Sequence, residues 1–170
     1  MSGARPSTIP IIAPNGLPRR ALLENQGQSP ILAAAPRKHG AVAVVRRDEK
    51  WLMIRRSATV RAPRKLCFPG GAIEPGESEL AAVARELQEE LGAASTPVAC
   101  VWRSLTSWNV ALAWWSVDLP VHQELAANPQ EVEEIHWLST EEALAHPDLL
   151  ESAREFFEAY ARGEIASFGR

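Results

Sequence analysis

Residues 85–92, RELQEELG, set Glu86, Glu89 and Glu90 on a segment whose apolar spacing is helical. At about 100 degrees per residue, Leu80, Val83, Ala84, Leu87 and Leu91 form one stripe that must pack against a core. The carboxylates fall off that stripe, three and four residues apart, where they are neighbours and repel one another. A chain that folds this way needs positive charge among them. Ser78 suits the cap at the start of the helix and Gly92 the left-handed residue that ends it. Just upstream, FPGGAIEPGE carries glycines at Gly70, Gly71 and Gly76 and prolines at Pro69 and Pro75, which predicts a bent loop whose backbone approaches a ligand closely. Loop and helix are expected to share one site.

The rest of the chain sets bounds. Its 170 residues suit one domain of ordinary globular composition, 46% hydrophobic and 23% charged. A net charge of -3 gives no global attraction to nucleic acid or to an anionic membrane, so an anionic ligand must be met by local cations or a metal. No apolar run approaches the roughly 18 residues of a membrane span. Cys67 and Cys100 are too few for a disulfide framework and lie in no metal-type spacing, so both read as reduced structural thiols. The N-terminal MSGARPSTIPIIAP has no charged-then-apolar signal layout, and a cytoplasmic location is expected.

Residues 1–38 hold six prolines among small and polar residues and read as an arm, with the folded domain over 39–170. AVAVVRR and KWLMIRRS, separated by RDEK, predict an antiparallel hairpin. PVACVWRSL, NVALAWWSVDL and EVEEIHWLS predict three further strands. STEEALAHP predicts a capped helix closed by Pro147, and DLLESAREFFEAYARGE a final amphipathic helix ending near Gly163. Strands and helices mix without regular alternation, which points to an α+β or layered sandwich.

The stretch from Gly71 to Ala93 resembles the Nudix box: a glycine, five residues, Glu, seven residues, then Arg-Glu-apolar-any-Glu-Glu-any-Gly-apolar. Gly71, Glu77, Arg85, Glu86, Leu87, Glu89, Glu90, Gly92 and Ala93 meet it, with Ala93 smaller than the aliphatic residue usual there. Nine specified positions match a random window on the order of once in ten million or less. The resemblance implies a Nudix-type α/β/α sandwich with a mixed sheet. It also implies hydrolysis of a nucleoside diphosphate linked to another group, by attack of water on a phosphorus of the P–O–P bridge. Glu86, Glu89 and Glu90, with a carbonyl of Gly70 or Gly71, would hold Mg²⁺, for which Mn²⁺ can substitute. Hard oxygen ligands of this kind suit Mg²⁺. Glu77 would pair with Arg85 as structural support. The proton acceptor varies across the family, being either a helix glutamate or a glutamate on a loop. Glu131, Glu133 and Glu134 are the candidates outside the box, and Glu134 is taken into the catalytic set. Family members are often dimers, so a homodimer is expected.

A solvated charged helix face, with Arg85 paired to Glu89 and nothing bound, would explain the carboxylates alone but not the full box with its glycine loop. Two other readings of the fold are a non-catalytic module sensing ADP-ribose-like molecules and an isopentenyl diphosphate isomerase-like enzyme. The first is usually fused to a DNA-binding segment, and the arm shows no helix-turn-helix pattern. The second needs a catalytic Cys, and neither cysteine sits in a matching motif. Arg55, Arg56, Arg61, Arg64 and Lys65 form a basic cluster, and Arg55, Arg56 and Lys65 are candidates for diphosphate oxygens; an exposed basic loop is the other account. Strand alternation forbids Arg55 and Arg56 from facing the same way. The same segment resembles the coenzyme A diphosphatase subgroup in its Arg-Ser and Phe-Pro-Gly-Gly runs, but the intervening His and Gly are missing. Trp108 is the indole chosen to stack a nucleobase, core packing being the alternative for any tryptophan. Of the adjacent Trp114 and Trp115, at least one belongs to the core. His39, His122, His136 and His146 have no metal-ligand spacing.

Overall fold

The computed structural model describes residues 38–165. The Pro-rich arm expected over 1–38 lies outside the described residues, except for Lys38, which opens the first strand.

Two four-stranded sheets share the work. The first holds β1 (Lys38–Val44), β5 (Gly70–Ala72), β6 (Thr96–Leu105) and β7 (Val110–Asp118) in the order β5-β1-β7-β6. It is mixed, since β1 runs parallel to β7 and antiparallel to β5. The second is antiparallel: β3 (Lys50–Arg56) pairs with β2 (Arg46–Arg47), β4 (Leu66–Cys67) and β8 (Val132–Leu138). The expected hairpin is therefore only half right. AVAVVRR divides at Val45, so that β1 joins one sheet while Arg46 and Arg47 turn back on β3 in the other. Asp48 and Glu49 both take positive φ, 47° and 63°, the geometry of a two-residue turn matched to strand twist.

Alternation along these strands feeds two cores. Ala41, Ala43, Leu52, Ile54 and Cys67 face α1 (Glu79–Leu91), where Ala82, Val83, Leu87 and Leu91 meet them. Val44, Trp51, Met53, Leu66 and Phe68 face the other way, toward α2 (Thr140–Ala145) and α3 (Glu151–Ala161). This is the α/β/α sandwich. Trp114 and Trp115 split as alternation requires, Trp114 into the α3 core and Trp115 against the α1 core. Trp51, Phe68, Trp114, Phe156 and Phe157 form an aromatic cluster of mostly edge-to-face contacts, and the indole N–H groups of Trp51 and Trp114 donate to Thr140 Oγ1 and Ser104 Oγ.

Both ends of α1 form as the sequence predicts. Ser78 Oγ accepts from the Ala81 N–H at 3.2 Å, and Gly92 closes the helix at φ 62°. The buried face, however, is rolled. Leu80 is 44% exposed, and Glu86 and Glu90 are buried in its stead. Glu79 fixes the roll at the N-terminus: Arg103 on β6 donates two bonds to its carboxylate and Trp115 Nε1 a third. Helix α2 carries the reciprocal Ser139–Glu142 capping box.

Truncating Phe156, which is fully buried in the α3 core, is expected to lower the unfolding free energy by about 3–5 kcal/mol. Leu80→Ala should change it by less than about 0.5 kcal/mol. Urea denaturation of the two variants checks the roll of α1, since equal losses would put Leu80 back in the core.

Candidate active site

The site is built where α1 crosses β5. Gly70 has φ 140°, and a Cβ there would lie 2.3 Å from the Ala41 carbonyl oxygen, so only glycine fits. At Gly71 the obstacle is the site itself: a Cβ would stand 2.3 Å from Glu86 Oε1. The missing side chains let α1 bring two carboxylates against the strand. Gly70 N–H donates to Glu90 Oε2 at 2.9 Å.

Arg85 is the cation that charge balance demanded. Its Nε and Nη2 form a fork on Glu77 at 2.9 and 3.0 Å, Nη2 also donates to the Ala72 carbonyl, and Nη1 donates to both Glu86 and Glu89 at 3.0 Å. The guanidinium thus ties the loop to the helix, and it holds the Glu77 carboxyl below the usual range. One guanidinium does not balance the group. Burial raises the Glu86 carboxyl despite Arg85, and burial pushes Glu90, only 3% exposed, up to about 8 against the opposing Gly70 N–H.

A third carboxylate arrives from outside the box. Ligand oxygens of Glu86, Glu90 and Glu131 lie within 4.8 Å of one another. Glu131 immediately precedes β8, and its segment is tied to the end of α1, where Ala126 N–H donates to Leu91 O and Asn128 N–H to Glu90 O. Glu89, expected in the same set, is held by Arg85 at the exposed edge. Glu134 is not brought there: its carboxylate lies 3.0 Å from His136 Nε2, half-exposed on β8. Glu133 faces Arg55 at 3.6 Å. The sequence offered three nearby glutamates, and what separates them is an irregularity in the β3–β8 ladder at Arg55/Arg56. No residue pattern marks it.

A cavity of about 760 Å³ opens beside Gly70 and Gly71, with Arg56, Arg61, Phe68 and Trp108 among its walls. Of the basic candidates, Arg56 reaches this cavity and lies near enough to Glu90 to bias it toward the charged form. Its Nε donates to the Arg61 carbonyl at 2.9 Å. Arg55 and Lys65 turn instead toward Asp148, at 3.9 and 3.4 Å. Trp108 sits on the β6–β7 turn, 62% exposed. Cys67 also borders the cavity, and burial pushes its thiol up to about 11; Cys100 donates to the Trp102 carbonyl, and both cysteines are free.

Residues 37–160 match the family model described as the NUDIX domain. The chain is 37% identical over 108 residues to a CTP pyrophosphohydrolase of Escherichia coli, spanning 62% of this chain and 78% of that protein. It is 49% identical over 53 residues to an 8-oxo-dGTP diphosphatase of the same organism, spanning 31% of this chain and 41% of that protein. The crystal structure of a MutT protein from Methanosarcina mazei superposes with a TM-score of 0.67 at 29% identity, over 77% of this chain and 97% of the other. By the match over residues 37–160 and these relatives, the chain belongs to the Nudix family and is a diphosphohydrolase.

Proposed function

We propose that the protein is a Mg²⁺-dependent pyrophosphohydrolase of nucleotides, hydrolysing a P–O–P linkage within a nucleoside diphosphate that carries a further phosphate or other linked group. The observation that carries this reading is the convergence of Glu86, Glu90 and Glu131 against the glycines that line an open cavity. Three carboxylates offer hard oxygen donors, and a Glu90 raised by burial marks a place short of positive charge, which is what a dication fits. Glu86, Glu90 and Glu131 would hold it, with Glu89 on the solvent side. Mg²⁺ held there would supply Lewis acidity, which lowers charge repulsion at a P–O–P bridge and favours attack by water.

The chain's own residues do the rest. Arg56 and Arg61 meet phosphate oxygens, Gly70 and Gly71 let the backbone approach them, and the clasp of Arg85 on Glu77 and Ala72 keeps the helix carboxylates in place. The apolar interior beside Phe68 suits a flat ring, and Trp108 at the rim offers it an indole face.

Chromatographic detection of the two phosphorylated products formed with Mg²⁺ from nucleoside triphosphates (CTP and 8-oxo-dGTP among them), nucleotide sugars, ADP-ribose and coenzyme A tests the reading. Binding without turnover of any of them would favour the sensing module instead. Glu90→Gln is expected to lose at least about a thousandfold in kcat, whereas Glu134→Gln should stay within about threefold; the reverse order would exchange the two glutamates. Trp108→Ala should raise KM by about 5–150-fold, the equivalent of one lost stacking contact, with kcat little changed.

The raised Glu90 carboxyl also has a pH signature. Because its folded value of about 8 lies above its unfolded value, the group destabilises the metal-free fold progressively as pH rises from about 4.5 to 8. Below that window both states are protonated and the penalty is absent. Thermal unfolding without metal should therefore show Glu90→Gln overtaking the unsubstituted protein as pH approaches 8. Titration calorimetry in buffers of different ionisation enthalpy should show Mg²⁺ binding near pH 7 releasing about one proton.

A further inference from the structure

Ser57 is one of few buried polar side chains among the described residues, 5% exposed, and it directly follows Arg56 at the end of β3. Its hydroxyl donates to the Gln130 carbonyl at 2.7 Å, and its N–H donates to the Glu131 carbonyl at 2.8 Å. Thr59 Oγ1 lies 3.0 Å from Ser57 Oγ and gives the Gln130 carbonyl a second donor at 3.1 Å. On the far side of the same peptide the Glu131 N–H donates to the Asn128 carbonyl at 2.9 Å, and the N–H of the next peptide, Val132, donates to it at 2.8 Å. The backbone that carries Glu131 is thus gripped from two directions. The β3–β8 ladder shifts register at this point, and such irregularities re-aim side chains.

We propose that Ser57, assisted by Thr59, is a positioning residue that holds Glu131 on the carboxylate cluster and thereby sets the affinity for the dication. The proposal rests on the reading that Glu131 belongs to the metal-holding set. Ser57 touches neither the cation nor the substrate. It works through the peptide between Gln130 and Glu131, whose orientation decides whether the carboxylate points at Glu86 and Glu90. With Thr59 Oγ1 donating beside Ser57 Oγ, that carbonyl accepts two hydrogen bonds on one side, so the peptide cannot turn without breaking both. Outer hydrogen bonds of this kind commonly change metal affinity by 10–100-fold.

The test is Mn²⁺ binding, read by the electron paramagnetic resonance signal of the free ion, on the full chain and four variants, with thermal unfolding recorded for each. Ser57→Ala should weaken Mn²⁺ about 10–100-fold. Thr59→Val, at an exposed position, should weaken it in the same direction by less, and it keeps the test alive should Ser57→Ala fail to fold. In the Glu131→Gln background the Ser57→Ala change should do less than about threefold more, because the residue it positions is gone. Unchanged Mn²⁺ affinity in Ser57→Ala and Thr59→Val, or an equal loss with and without the Glu131 carboxylate, would overturn the proposal while leaving the metal site standing. Failure of the unsubstituted protein to take up Mn²⁺ would overturn the metal reading itself, and this inference with it.

Discussion

Two glutamates pressed against the backbone of Gly70 and Gly71 are the constraint around which this fold is arranged. A carboxylate buried next to a strand is unfavourable unless something charged or hydrogen-bonded answers it. Here the answers are partial: one N–H from Gly70 for Glu90, and one shared guanidinium nitrogen for Glu86. The remaining deficit shows in the raised carboxyls of both residues. A structure of marginal stability keeps such a deficit where function requires it, and a dication removes it.

The same two glycines also explain how acids and cavity come to be adjacent. Their backbone is common to both: Glu86 and Glu90 lie against it, and the cavity that Arg56 and Trp108 border opens beside it. On the opposite face of the sheet the aromatic cluster around Phe156 packs far more bulk than the alanine and valine side chains under α1. That asymmetry sets the rigid wall beside which Arg56, at the end of β3, and the loops carrying Trp108 and Glu131 are hung.

Much of this was legible in the sequence because it is local. The caps at Ser78 and Gly92 and the opposite facing of Arg55 and Arg56 follow from spacing and side-chain chemistry, and the clasp between Glu77 and Arg85 is what the resemblance to the Nudix box implies. What escaped depends on how distant segments meet. An apolar stripe drawn from periodicity included Leu80, but the helix rolls so that Glu86 and Glu90 face the glycines, and the roll is fixed by Arg103 and Trp115, which are remote in sequence. AVAVVRR reads as one strand, yet it divides at Val45 between two sheets, which is a matter of topology rather than propensity. Among Glu131, Glu133 and Glu134, two-residue alternation misleads because the ladder is irregular there. The signal that singles out Glu131 is the Asn-Pro-Gln turn before it, anchored to the end of α1 through Asn128.

In the proposed site three carboxylates from two separate segments hold one dication. A crystal grown with Mn²⁺ and measured for anomalous scattering at the manganese edge tests it most directly. The predicted result is a peak in contact with Glu86, Glu90 and Glu131 at roughly 2.0–2.3 Å from their oxygens. A peak held by Glu134, or none beside Glu86 and Glu90 in a crystal with manganese bound elsewhere, would contradict it.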